Sequence, residues 1–297
     1  MKTTRATLGR IGIAWAIAAA ALMALAGTAL AHSGEFARFN DCPSTTPGVE
    51  KCLYSVTTGG KIILGNKTTP IIHPVTLQGG VGAQDVENEA EFFPQKFYGA
   101  SDGNTLSKTP QPVPGGLLGI VPPEDTPAWL AEIIKGFTEN GLTGVNATLE
   151  LARPASEIVV SEYALTAEEG IALKMPVKFH LENPFLGSEC YVGSSSKPVW
   201  WNLTTGTTSP PPPNKPISGS SGIISQKENL EIVQLEGTKL VDNSWAAPEA
   251  TGCGGVLSFA VDPIIDSSVG VPAAAGHNTA ELIDTIDEAT VASVNEH

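Results

Sequence analysis

Apolar and polar residues alternate with a period of two through much of the chain, the mark of a half-buried β-strand. In Val145-Asn-Ala-Thr-Leu-Glu-Leu151 the odd positions are apolar and the even ones polar. Met175, Val177, Phe179 and Leu181 repeat the pattern, with Lys178, His180 and Glu182 on the other face. Val199, Trp201 and Leu203 do so again, and Leu257, Phe259 and Val261 complete the set. Further strands are expected over 51–57, 61–64, 71–78, 157–163, 188–192 and 230–235, with turns at Gly59-Gly60, Gly79-Gly80, Asn183-Pro184 and Gly254-Gly255. About ten short strands with frequent turns predict a mainly β chain, an antiparallel β-sandwich. The gaps are too short for helical crossovers, which excludes a parallel α/β sheet.

Two segments carry helical periodicity. Thr126 can cap a helix with Pro127 at its first position, and Asn140-Gly141 can stop it. Its apolar residues Trp129, Leu130, Ile133, Ile134 and Phe137 share one face, so this amphipathic helix is expected to pack on the sheet. A C-terminal helix is expected at about 279–292, capped by Asn278 with Glu281 three residues on. Leu282, Ile283, Ile286 and Ala289 would form its packing stripe, leaving Glu281, Asp284 and Glu288 in solvent.

The first 31 residues read as a cleaved export signal. Lys2, Arg5 and Arg10 precede an apolar run of residues 11–25, and Ala29-Leu30-Ala31 is an A-x-A cleavage site. The run is shorter than the roughly 20 residues that span a bilayer. The mature chain, 32–297, is expected to be one domain outside the cytoplasm with no transmembrane segment. Its leader carries three of the 17 basic residues and no acid, leaving 14 bases against 31 acids, a net charge of −17. Such a surface repels phosphate backbones, so nucleic acid is not an expected partner. Gly and Pro make up 31 and 23 of the 297 residues, consistent with many turns. Four successive prolines, 210–213, place a long exposed loop at 206–222, since they cannot join a central strand.

Cys42, Cys52, Cys190 and Cys253 all follow the leader. An even number of cysteines in an oxidising compartment reads as two disulfides. Cys42–Cys52 with Cys190–Cys253 is the preferred pairing, because Pro43 and Pro47-Gly48 provide a turn for the first. C-x9-C is not a zinc-knuckle spacing, and no histidine pair lies at i, i+2 or i+4.

Residues suited to chemistry are scattered. Ser194-Ser-Ser-Lys197 matches S-x-x-K formally, but it lies in a Gly/Ser loop rather than on a helical turn. There is no G-x-S-x-G elbow, and the catalytic residues, if any, are not identified. Asp85, Glu87, Glu89 and Glu91 would share a face in a strand, where Ca2+ would relieve their repulsion. Without an Asp-x-Asp-x-Asp-Gly loop, the simpler expectation is a hydrated acidic edge that discourages aggregation. No metal or cofactor is otherwise indicated. Trp200 should point outward beside Asn202 if Trp201 points in, and an exposed ring beside an amide is how a glycan-binding face begins. The competing expectation is that a neighbouring strand or the proline-rich loop covers it. Residues 110–123 contain Gly115-Gly-Leu-Leu-Gly-Ile-Val121, read as a loop tucked under the sandwich or as an apolar contact surface.

Residues Met175-Pro-Val-Lys-Phe-His-Leu-Glu-Asn-Pro-Phe-Leu-Gly-Ser-Glu-Cys-Tyr-Val-Gly193, continuing through Pro198 to Thr204-Thr205-Gly206, resemble a block in uncharacterised secreted proteins of high-GC Gram-positive bacteria. Pro114–Gly119 and Val145–Leu151 are similar to flanking pieces of that group. The resemblance implies bacterial export and an envelope setting, and carries over no functional residue. The leading expectation is a secreted, non-enzymatic β-sandwich of the cell surface or exterior with a binding or structural role. A glycan-binding module or hydrolase is the first alternative, with a glycan or envelope component as partner. A carrier of apolar ligands is the second.

Overall fold

The computed structural model describes residues 31–116, 119, 121–138 and 143–297. The leader up to Leu30, residues Leu117, Leu118 and Ile120 of the glycine-rich segment, the Asn140-Gly141 helix stop, and the Ile134 and Phe137 side chains lie outside the described part.

The chain is mainly β and antiparallel. Its strands are β1 (Lys51–Leu64), β2 (Lys67–Pro70), β3 (Val75–Gln84), β4 (Gln95–Gly99), β5 (Gln111–Pro112), β6 (Asn146–Leu151), β7 (Val159–Val160), β8 (Leu173–Glu182), β9 (Tyr191–Val192), β10 (Val199–Leu203), β11 (Ile223–Lys227), β12 (Ile232–Asp242), β13 (Ala250–Thr251) and β14 (Thr279–Thr290). The helices are α1 (Ala128–Thr138), α2 (Glu162–Ala167), α3 (Ser258–Val269) and α4 (Val291–Glu296). All fourteen strands belong to one hydrogen-bonded sheet, ordered β11-β12-β14-β1-β3-β4-β7-β8-β6-β5.

This sheet turns back on itself rather than parting into two. β10 runs along one edge of β8, and just beyond its end Thr204 exchanges both backbone hydrogen bonds with Val241 of β12, at 3.0 and 2.9 Å. The pair closes the ring β12-β14-β1-β3-β4-β7-β8-β10, and closure removes exposed edges. β8 is where the sheet forks. Its first half pairs with β7 and β10, its second with β6 and β9. Alternation along β8 sends Leu173, Met175, Val177, Phe179 and Leu181 inward, as the sequence predicts. Phe179, Trp201 and Trp245 pack their rings about 6 Å apart at the centre of this half.

β1 is continuous where two strands with an intervening turn are expected. Gly59 and Gly60 form a bulge instead of a hairpin, because Gly60 has φ 103° and a β-carbon there would collide with the Glu281 carbonyl. The bulge inserts one residue, so Leu53, Ser55 and Thr57 face inward before it and Ile62 and Leu64 after it. β12 bulges at the same level, between Glu236 and Thr238.

The ends of the chain differ most from expectation. Residues 279–290 are a strand at the centre of the sheet, not a helix, and the C-terminal helix is the short α4, whose N-cap is Thr290. Asn278 caps nothing: its side chain is buried, accepting from Gly65 N–H and donating to the Trp245 carbonyl. Residues 257–261 are not a strand but lead into α3, which leaves Phe259 79% exposed and buries Ile265 and Val269 one turn apart. α3 is thus the helix that packs on the sheet. Of the stripe expected on α1, Trp129 and Ile133 are 65% and 48% exposed.

Both disulfides form as paired above, Cys42–Cys52 and Cys190–Cys253. The first holds the 3-10 turn Gly34–Phe39 against the outside of the barrel, where Phe36 and Phe39 pack with Ile232, Ala289 and Val294. The second ties β9 to the segment entering α3. Among the described residues no helix is long and apolar enough to cross a membrane.

Candidate functional site

Where β8 forks, the inward faces of the two parts of the sheet do not meet completely. They leave a cavity floored by β1, β12 and β14, walled by β3, β6 and β8, and overlaid by α3. The atom-free space, its open mouth included, is about 1170 Å³. The lining is overwhelmingly aliphatic, with Leu77, Leu149, Met175, Leu181, Ile265 and Leu282 among its walls. A concave apolar space with a few polar groups is the usual form of a small-molecule site.

The period of two explains how a charge reaches its interior. On β14 the inward row is Ala280, Leu282, Asp284, Ile286 and Glu288, so Asp284 stands between two core aliphatics. It is 3% exposed. Its neighbours at the same level are Thr57 on β1 and Thr238 on β12, set there by the paired bulges. One carboxylate oxygen, Oδ1, accepts the Thr57 hydroxyl at 2.5 Å and the Ser55 hydroxyl at 3.4 Å. Thr238 turns away and donates to the Ser221 carbonyl at 2.9 Å. The other oxygen, Oδ2, is buried without a hydrogen-bond partner. Burial pushes the Asp284 carboxyl up to about 6, against the two hydroxyls that favour its charged form. An orphan acceptor facing an otherwise aliphatic space is costly to leave unmade, and a donor on a bound molecule would satisfy it.

Lys67, half-buried, lines the same cavity from β2 and lies close to Gly119. Its ammonium has no ion-pair partner among the described residues, and burial lowers its pKa. Among the described residues, Lys67 and Asp284 are the only charged ones on the cavity wall. The glycine-rich segment contributes Val113 and Gly116 to this region, while Val121 is exposed.

A second buried carboxylate marks the far end of the inward row. Glu288 sits by Lys51, which pairs with Glu162, and Gln95 donates to Glu162 at 2.8 Å. Burial, then repulsion from Glu162, pushes Glu288 up to about 8, with Lys51 opposing. None of these residues is among those lining the cavity described above.

The residues singled out from the sequence lie elsewhere. Trp200 and Asn202 do share the outer face of β10, but Trp200 is half-buried beneath Lys174 and Arg153, which stand 5.4 and 5.9 Å from its ring centre. Asn202 gives its backbone N–H to Asp242 at 2.7 Å. Asp85, Glu87, Glu89 and Glu91 fall in a turn and a 3-10 turn rather than a strand, so they do not share a face. No three His, Cys, Asp or Glu among the described residues are grouped to hold a metal ion. His180, on the outer face of β8, stacks its ring on Tyr191 with centroids 4.5 Å apart and lies beside Glu150 and Glu182. Lys197 of the S-x-x-K match pairs with Glu249 at 2.6 Å.

Sequence reasoning missed Lys67 and Asp284 on the cavity wall, and the burial of Glu288 beyond it. Asp284 and Glu288 were expected on the solvated face of a helix, whereas both are buried, and Glu281 is ion-paired to Lys61 and Lys239 at 3.3 and 3.1 Å. The available signal was the alternation Ala280, Leu282, Asp284, Ile286, which a strand reading would have turned into an inward carboxylate. No family model, curated protein or solved structure matches this chain.

Proposed function

We propose that this is a secreted, non-enzymatic binding protein that carries an apolar ligand in the barrel cavity. The observation that supports it most is the unpartnered Oδ2 of Asp284, a carboxylate on the wall of a largely aliphatic cavity. Glu288 Oε1 is also buried without a partner, but an unpaired acceptor is costly and only at Asp284 does the cavity beside it offer room for a ligand that completes it. Work outside the cytoplasm is the setting that fits the leader pattern and the two disulfides. The glycan-binding alternative is weakened by the cations that cover Trp200.

Native mass spectrometry of gently extracted protein tests the reading. An apolar passenger should be retained, and a hydrophobic fluorophore should enter once it is stripped. Ala147→Phe, which places a ring in the cavity, should abolish uptake while the fold persists. Absence of both passenger and fluorophore uptake in the intact protein would overturn the proposal.

A further inference from the structure

Resting on that reading, we infer that the ligand is an amphiphile whose anionic head pairs with Lys67 and whose apolar chain runs inward, ending in a hydroxyl donated to Asp284. Three observations lead there: the two charges on the wall, their separation, and the aliphatic lining between them.

Lys67 pairs in register with Leu64, and Asp284 with Thr57, so the two sites stand seven residues apart along β1. At about 3.3 Å per residue that is on the order of 20 Å. The lining between them is largely aliphatic, from Leu64 and Ile62 on β1 to Leu282 on β14, so the stretch joining the two charges suits a hydrocarbon chain.

The charges set the direction of entry. A carboxylate or sulfate head driven to the bottom would face Asp284 in a medium that screens it poorly, and would leave Lys67 without a partner. Head-outward, the anion meets an unpaired ammonium beside water, where a charge-assisted hydrogen bond is strong and desolvation is incomplete. The inner end then needs only a neutral donor. A terminal hydroxyl supplies one to Oδ2 and leaves the Thr57 and Ser55 hydrogen bonds to Oδ1 in place. A cationic amphiphile is disfavoured because Lys67 repels its head.

Stripped protein is titrated at pH 8 with dodecanoate, 12-hydroxydodecanoate, dodecanol and dodecylammonium, reading displacement of the fluorophore. Dodecanoate should bind roughly five- to tenfold tighter than dodecanol, and the hydroxylated acid tighter again by a few-fold. Lys67→Met should remove the acid preference, and Lys67→Arg should keep it. Asp284→Leu should remove the gain from the hydroxyl alone, and Asp284→Asn, which sets a neutral amide donor at the Oδ2 position, should reduce it. Equal binding of the acid, the alcohol and the amine, or tightest binding of the amine, would overturn the head-group assignment while leaving the cavity reading intact. So would acid preference surviving in Lys67→Met. Failure of all four probes together with the fluorophore would instead sink the cavity reading itself.

Discussion

Asp284→Asn isolates the cost of placing a carboxylate inside the barrel. In the unfolded chain this group titrates near 3.8, and in the folded protein burial raises it to about 6. Between those values the folded state holds more protons than the unfolded one, so stability falls as pH rises through the window and the loss is complete above about pH 6. A rise of roughly two pKa units corresponds to about 3 kcal/mol. Asparagine carries no such penalty, and its carbonyl can still accept from Thr57 and Ser55. Its amide will be left without a partner at the Oδ2 position, an offset of roughly 1–3 kcal/mol that is the same at every pH. The reliable quantity is therefore the change in the variant's advantage with pH. Urea unfolding of ligand-stripped wild type and variant at pH 4 and pH 8 should show the asparagine protein gaining about 2 kcal/mol on wild type between the two, since part of the effect is already present at pH 4. Other titrating groups, Glu288 included, cancel in that difference as long as they do not couple to position 284. A gap that stays constant within about 0.5 kcal/mol would mean that Asp284 is solvated or already paired, and the argument for an orphan acceptor would fail with it.

Three further outcomes follow from the same structure. Glu288 is raised by burial and by Glu162, so Glu288→Gln should gain on wild type as pH rises from about 4.5 to about 8 and gain no more above it; denaturant midpoints at about pH 4, 7 and 9 check this. Replacing Cys190 and Cys253 together by alanine opens a link spanning 63 residues and should cost about 4 kcal/mol on the chain-entropy scale, measured by unfolding under oxidising conditions. Trp201 is fully buried with no partner for its indole N–H, so Trp201→Ala should cost about 3–5 kcal/mol in calorimetry. Trp201→Phe should cost clearly less, because it removes the unsatisfied donor along with part of the ring.

Legibility followed how purely each segment expressed its period. β6, β8 and β10 alternate without interruption and their inward faces are those read from the sequence. The disulfide pairing was also accessible, since the turn after Cys42 made the short link plausible. β14 was hidden because its inward row contains Asp284 and Glu288, and acids at core positions make a strand look like the solvated side of a helix. Leu282, Ile283, Ile286 and Ala289 then complete a false helical stripe. The residues that obscured the strand are the ones that charge the barrel interior, an instance of local rules failing where a site is built. In α3 the error ran the other way. Leu257 and Phe259 are exposed, so their alternation with Val261 says nothing about burial, and Pro263 argued against a helix that tertiary packing of Ile265 and Val269 nonetheless supports. Lys67 gave no signal, because a lysine on a short strand becomes distinctive only when β2 folds over the cavity.

The narrowness of β7 gives the barrel two shells rather than one uniform wall. β7 joins β4 through Gln95 and Lys96 alone, and joins β8 through Leu173 and Lys174 alone. On the opposite side, among the described residues, the end of β10 is joined to β12 by the single bridge of Thr204 with Val241. Each cystine staples residues within one shell, Cys42 to Cys52 in the first and Cys190 to Cys253 in the second, and neither crosses a seam. Oxidation thus stiffens the two halves separately and leaves the seams to ordinary hydrogen bonds and side-chain packing, so the easiest deformation of this barrel is for its shells to gape like a bivalve around whatever lies between them.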